Sequence, residues 1–181
     1  MTSIQSSRIL VTGGAGFIGS HLVDALLEDG AASVTVLDNL VNGAERNLSG
    51  ALQDPRTRLV VADARDADVR DALLADADIV FHLACLGVRH SLHAPRENHD
   101  VNATMTLDLL ENAMARDVGR FIHVSSSEVY GSALYAPMDE GHPTLPETVY
   151  GAAKLAGEAY ARAAFRTHGY PVTVARPFNA Y

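Results

Sequence analysis

A chain of 181 residues, 48% of them apolar, is long enough for one compact domain with its own core, and its modest Gly and Pro content excludes a fibrous or disordered chain. A net charge of −8 with no basic cluster argues against a nucleic-acid partner, and no apolar run approaches the roughly 18 residues of a membrane span. MTSIQSSRILV lacks a charged stretch followed by an apolar one, and the single cysteine, Cys85, has no disulfide partner, so the chain reads as cytoplasmic with Cys85 a buried filler.

The first predicted element is a strand, Arg8–Thr12, which runs into Gly13-Gly14-Ala15-Gly16-Phe17-Ile18-Gly19 and then a helical pattern over 16–29. In that setting Gly13 serves the tight turn, Gly16 lets the backbone approach a pyrophosphate, and Gly19 lets the helix pack closely. The N–H groups and positive dipole end of the helix complete an anion site. A second strand over 33–37 ends at Asp38, 19 positions beyond Gly19. A carboxylate there accepts hydrogen bonds from an adenosine ribose and repels a 2′-phosphate, which predicts NAD rather than NADP. After a third strand over 58–62, Asp63 either reaches the adenine amine or only starts the following loop.

Strands over 78–82, 120–124 and 171–176 follow, with helix-period segments over 97–116 and 150–167 among them. Each strand reads as buried. Strand and helix in alternation predict an α/β fold with a doubly wound parallel sheet covered on both faces. The longest irregular stretch, 131–148, carries Pro137, Pro143 and Pro146 and has the length of a functional loop. His90, His93 and His99 fall across a loop and a helix start without cysteines or an H-E-x-x-H pattern, so no metal site is predicted.

The chemical end of the chain begins with Ser125-Ser126-Ser127-Glu128, just after the fifth strand at the carboxyl edge of the sheet, where ligands bind in such folds. Tyr150 and Lys154 form Y-x-x-x-K, which places both side chains on one helix face, one turn apart. Lys154 is the only lysine beside thirteen arginines, and an ammonium can give up a proton where a guanidinium cannot. That ammonium, joined by the positive charge of an oxidised nicotinamide, favours the phenolate, lowers the tyrosine pKa and makes Tyr150 a usable base.

TGGAGFIG at 12–19, LDNL at 37–40, HLAC at 82–85, SSSEVYG at 125–131, YGAAK at 150–154 and RPFNAY at 176–181 together resemble the extended short-chain dehydrogenase/reductase family, in its nucleotide-sugar epimerase/dehydratase branch. The resemblance covers almost the whole chain. It implies a Rossmann-like, three-layer αβα domain over residues 1–181. NAD would be held by Gly13, Gly16, Phe17, Ile18, Gly19, Asp38, Asn39, Asp63, Ala64, Leu83, Ala84, Tyr150, Lys154 and Pro177. It places Ser126, Tyr150 and Lys154 in the catalytic positions with Glu128 beside them, and makes Asn102 a structural asparagine. Arg89, Ser91, Ser127 and Asn179 would lie near the nucleotide-diphosphate sugar.

The implied reaction removes hydride from a sugar carbon to NAD+ and passes through a keto intermediate. Ser-Ser-Glu at 126–128 looks more like UDP-glucuronate decarboxylases and GDP-mannose dehydratases than like the Asp-Glu of dTDP-glucose dehydratases. Glu128 either works on an adjacent sugar carbon or only caps the turn before Val129. A simple UDP-sugar 4-epimerase, or an NAD-binding module without turnover, remains open. The family continues after R-P-x-N-x-Y with a smaller substrate-binding domain, expected beyond Tyr181 and absent from this chain. The segments 97–116 and 150–167 resemble the helices of a four-helix homodimer interface.

Overall fold

Short runs of Val, Ile and Leu form six strands, β1 (Arg8–Thr12), β2 (Ser33–Asp38), β3 (Thr57–Val61), β4 (Ile79–His82), β5 (Arg120–Val124) and β6 (Val172–Ala175). In the computed structural model, which describes residues 3–180, they make one parallel sheet in the order β3-β2-β1-β4-β5-β6. Six helices accompany them: α1 (Phe17–Glu28), α2 (Ala67–Ala75), α3 (Val88–Ser91), α4 (Pro95–His99), α5 (Met105–Ala115) and α6 (Val149–His168). None of the described helices is long and apolar enough to cross a membrane.

Because strand side chains alternate between faces, β1 feeds two cores. Ile9 and Val11 join Val23 and Leu26 of α1, Val34 and Val36 of β2, and Ile79 on one side. Leu10 joins Leu74 of α2, Val80, Leu109 and Leu110 of α5, and Phe121 on the other. Each fully buried Leu or Ile in these layers contributes about 2 kcal/mol. Burial on both faces explains why β1, β2 and β4 lack a polar alternation.

β3 and β6, at the two edges of the sheet, depart from the buried strands expected. No β3 residue is buried and Val61 is exposed; β6 pairs only with β5 among the described strands, and Thr173, Val174 and Ala175 are exposed. The helix expected over 97–116 is α4 and α5 joined by a wide π turn, Asp100–Thr104, in which Asn102 and Ala103 are buried. α2 was not among the clear helical patterns; Asp66 starts it by accepting from the Asp68 and Val69 amides. α6 is bounded by Thr148, whose hydroxyl accepts from the Gly151 amide, and by Gly169 at φ +67.

The strand order reverses between β1 and β4, so their carboxyl ends open a crevice. Gly13 N–H bonds the Leu37 carbonyl at 2.8 Å and Leu83 N–H bonds the Thr12 carbonyl at 3.0 Å, which carries the sheet pairing into the loops that line it.

Candidate active site

The glycine turn packs backbone against backbone at Gly13 and Gly19. Gly13 has φ +74, and a Cβ on it would lie 2.6 Å from the Ala84 amide nitrogen; one on Gly19 would lie 2.3 Å from the Gly13 carbonyl oxygen. α1 is therefore seated directly on the turn, and the turn on the end of β4. Gly16 is the N-cap residue of α1 with no capping side chain, which leaves the first-turn N–H groups as donors for an anion. Gly14, not singled out in the sequence, is equally confined: its Cβ would meet Val36 Cγ1 at 2.8 Å. Gly19→Ala is expected to cost about 3 kcal/mol of stability and to weaken NAD binding by about 100-fold, because backbone must yield. Denaturant unfolding and calorimetric titration measure the two, and unchanged affinity would refute the seating of α1 as a binding requirement.

Asp38 is buried at the end of β2 and has more work than ribose recognition. Its Oδ2 accepts from the Ala15 amide at 3.0 Å and its Oδ1 from the Leu40 amide at 2.8 Å. It thus caps its own turn and ties down the glycine turn. Each oxygen keeps a second lone pair toward the cleft, so the carboxylate still suits two ribose hydroxyls. Asp63 is gripped bidentately by Arg65, at 3.0 and 2.7 Å, and by Asn39 Nδ2 at 3.3 Å. Arg65 holds its carboxyl down at about 2. The confined glycine cradle, the uncapped helix start and this carboxylate fit NAD.

The loop after β4 is clamped from below. Asn102 receives the Leu86 amide on Oδ1 at 3.0 Å and returns Nδ2 to the Leu86 carbonyl at 2.8 Å, while Asn98 Nδ2 reaches the Leu86 and Gly87 carbonyls. A buried chain runs beneath. The Ala84 amide donates to Thr12 Oγ1, which meets His82 Nδ1 at 2.7 Å; His82 Nε2 meets Thr106 Oγ1 at 2.9 Å, and Thr106 donates to the Asn102 carbonyl. Because Thr106 spends its proton on that carbonyl, Nε2 carries the imidazole hydrogen, and burial disfavours a second hydrogen on Nδ1, which then accepts from the Thr12 hydroxyl. His82 is therefore neutral. His123 of β5 stacks on it with centroids 5.7 Å apart. Burial lowers both histidines, His82 well below its ordinary value and His123 to about 3, with the Lys154 charge adding to each.

Ser126, Ser127, Glu128, Tyr150, Lys154, Pro177 and Asn179 share one cleft of about 760 Å³ with the glycine turn, Asp38, Asn39, Asp63, Ala64, Leu83 and Ala84. Ser126 starts a 3-10 turn, Ser127–Val129, and its Oγ accepts from the Glu128 amide at 3.2 Å. Lys154 is buried and donates to the Val124 carbonyl at 2.9 Å. Burial pushes the Tyr150 phenol up to about 12, the Cys85 thiol and Glu128 carboxylate add to the rise, and a hydrogen bond with Ser126 opposes it; the lowering expected of Lys154 together with an oxidised nicotinamide has to act against that burial.

Two substrate candidates lie outside the cleft. Ser91 is buried, donating Oγ to the Val88 carbonyl at 2.7 Å, and Arg89 is exposed away from it. The residue between them, His90, faces the cleft and pairs with Glu97 at 3.2 Å. Successive residues on the single turn α3 point about 100° apart, so only one of the three can face inward. Cys85, read as buried filler, instead lines the cleft beside Tyr150 and is half-buried. Among the described residues no group of three His, Cys, Asp or Glu side chains is placed to hold a metal.

The family described as NAD dependent epimerase/dehydratase matches residues 9–181. The chain is 39% identical, over 96% of its length and 56% of the relative, to a UDP-glucose 4-epimerase of Mycolicibacterium smegmatis. It is 36% identical to UDP-glucuronic acid decarboxylase 3 of Arabidopsis thaliana, covering 96% of this chain and 51% of the relative. The crystal structure of the dTDP-glucose 4,6-dehydratase DesIV from Streptomyces venezuelae, solved with NAD bound, superposes with a TM-score of 0.88 at 40% identity, covering 93% of this chain and 55% of that one. The chain spans about half the length of the relatives it matches. Matched over nearly its whole length, and carrying the glycine turn, the strand-end acid and the Tyr150–Lys154 face around one cleft, the chain belongs to the NAD dependent epimerase/dehydratase family.

Proposed function

We propose that residues 9–181 form the cofactor-binding half of an enzyme that oxidises a nucleotide-diphosphate sugar to a keto intermediate and then loses water or carbon dioxide from it. The observation that carries this reading is the convergence of Ser126, Glu128, Tyr150 and Lys154 on the cleft that also holds the glycine turn. NAD+, when bound, supplies the hydride acceptor and a positive charge beside the phenol. The Ser126 hydroxyl steadies the reacting sugar hydroxyl, and Tyr150 takes its proton. Lys154, fixed on the Val124 carbonyl, holds a positive charge below them.

Glu128 is exposed at the cleft, with its backbone N–H, not its carboxylate, bonded to Ser126. A carboxylate there is placed to move a proton at a carbon next to the ketone. Pro177 and Asn179 line the cleft, Pro177 toward the cofactor and Asn179 toward the substrate diphosphate. An epimerase reading is supported equally by the relative at 39% identity. On α6, exposed Phe165 supports pairing of α5 and α6 with a second copy, which the mass of the protein in solution tests.

The deciding experiment incubates the protein with NAD+ and, separately, UDP-glucuronate, UDP-glucose and GDP-mannose, and reads products by mass and configuration. Loss of water or carbon dioxide is the expected result. Unchanged mass with inverted configuration identifies an epimerase, and no conversion refutes an enzyme in favour of a binding module.

A further inference from the structure

One buried charge on α6 takes no part in the chemistry proposed above. Glu158 stands four residues after Lys154, one helical turn on, and its side chain is 1% exposed. Isolated, a carboxylate so deeply placed is strongly unfavourable. It is satisfied instead by three donors from two other segments. Ser125 Oγ donates to Oε1 at 2.6 Å, Arg176 Nε donates to the same oxygen at 2.8 Å, and Arg176 Nη2 donates to Oε2 at 2.6 Å. The remaining end of Arg176 is used as well. Its Nη1 donates to the Tyr130 hydroxyl at 3.0 Å, and its guanidinium lies 4.8 Å from the centroid of that ring.

Each donor sits beside a residue of the candidate site. Ser125 precedes Ser126, and Arg176 precedes Pro177, which with Asn179 lines the cleft. Backbone bonds join the same two segments, from the Ser125 amide to the Ala175 carbonyl at 2.7 Å and from the Ser127 amide to the Pro177 carbonyl at 3.1 Å. Tyr130 extends the connection, since its ring stacks on Phe178 at 6.2 Å and meets His142 edge-on at 5.4 Å, which anchors the 131–148 loop. The bidentate geometry with Arg176 fixes orientation as well as distance.

We infer that Glu158 is the positioning residue of this site: its carboxylate locks the Ser126 loop and the Pro177–Asn179 wall onto the helix that carries Tyr150 and Lys154. As a statement about catalysis this rests on the reading of Ser126 and Tyr150 given above. As a statement about structure it does not.

Two variants test it. Glu158→Gln strands the Arg176 charge, and Glu158→Met with Arg176→Met removes both charges together. The single variant is expected to lower Tm by about 10 °C and the double variant to recover most of that, since an apolar pair can replace a buried ion pair. Both are expected to expose the Ser125, Ser127 and Glu128 amides to hydrogen exchange while the 13–19 turn keeps its protection. NAD affinity should stay within about 3-fold, because the glycine turn shares no partner with Glu158. Turnover should fall about 100-fold in both, the scale of a small misplacement of reacting groups. Recovery of turnover together with Tm in the double variant, or unchanged exchange at 125–128 in either, overturns the inference. If the unaltered protein converts no nucleotide sugar, the proposed reaction fails while the exchange measurement still decides the role of Glu158.

Discussion

Tyr150→Phe is expected to lower turnover of the correct nucleotide sugar by about 1000-fold, within the range attributed to a general acid or base, with NAD affinity nearly unchanged. The substitution removes one hydroxyl and keeps the ring that fills the wall beside Cys85. The fold should be untouched and the cofactor site nearly so, because the Asp38 carboxylate secures the glycine turn through the Ala15 and Leu40 amides. The loss should appear in kcat rather than in KM. The protein's own groups hold the phenol up at about 12, so deprotonation near neutral pH has to be driven by the charge that NAD+ brings. The rate should accordingly depend on pH with an apparent value far below 12 in the NAD+ complex. Single-turnover reduction of NAD+, followed by absorbance across pH, measures both; retained turnover in Tyr150→Phe would sink the assignment.

Acid is expected to destabilise this protein well before its carboxylates titrate. His82 and His123 are buried and neutral in the fold, and both are free to protonate near 6.5 once unfolded. A depressed folded pKa means that the unfolded chain binds more protons below 6.5. The stabilisation is therefore present above that value and is lost as pH falls toward about 3 for His123. At pH 5 His123 accounts for a loss of about 2 kcal/mol, a sizeable share of the stability of a single domain, and His82 adds to it in the same direction. Asp63, held at about 2, does not contribute until far lower pH. Urea unfolding between pH 7 and 5 measures the slope, and His123→Asn should reduce it by about 1.4 kcal/mol per pH unit. An unchanged slope in that variant would show that the proton uptake occurs elsewhere.

The features legible in the sequence are those whose physics is local. Strand, glycine turn and helix start form one continuous stretch, and the steric demands on Gly13 and Gly19 arise within it and against the adjoining strand end. Alternation of apolar runs with helical periods implied the parallel sheet, because crossovers need covered faces. The four-residue spacing of Tyr150 and Lys154 put both on the cleft, as helix geometry requires. Spacing could not decide which way a short turn points. Arg89 and Ser91 were therefore named where His90 is the residue that faces the cleft, and Cys85 was taken for filler where it touches the site.

The sequence by itself determined the fold class, the cofactor end and the shared face of Tyr150 and Lys154, since each is written in spacings of a few residues. Only the tertiary structure decided the electrostatics. His82 meets Thr12 and Thr106 from opposite sides, 70 and 24 positions away, and Glu158 meets Ser125 and Arg176 from separate strand ends. A charge or ring in a buried place takes its protonation from whatever the chain folds against it, and no local pattern encodes that neighbour. For the same reason the acidification expected of Lys154 together with an oxidised nicotinamide has an opponent that spacing does not show: the helix brings tyrosine and lysine to one face, but burial raises the phenol.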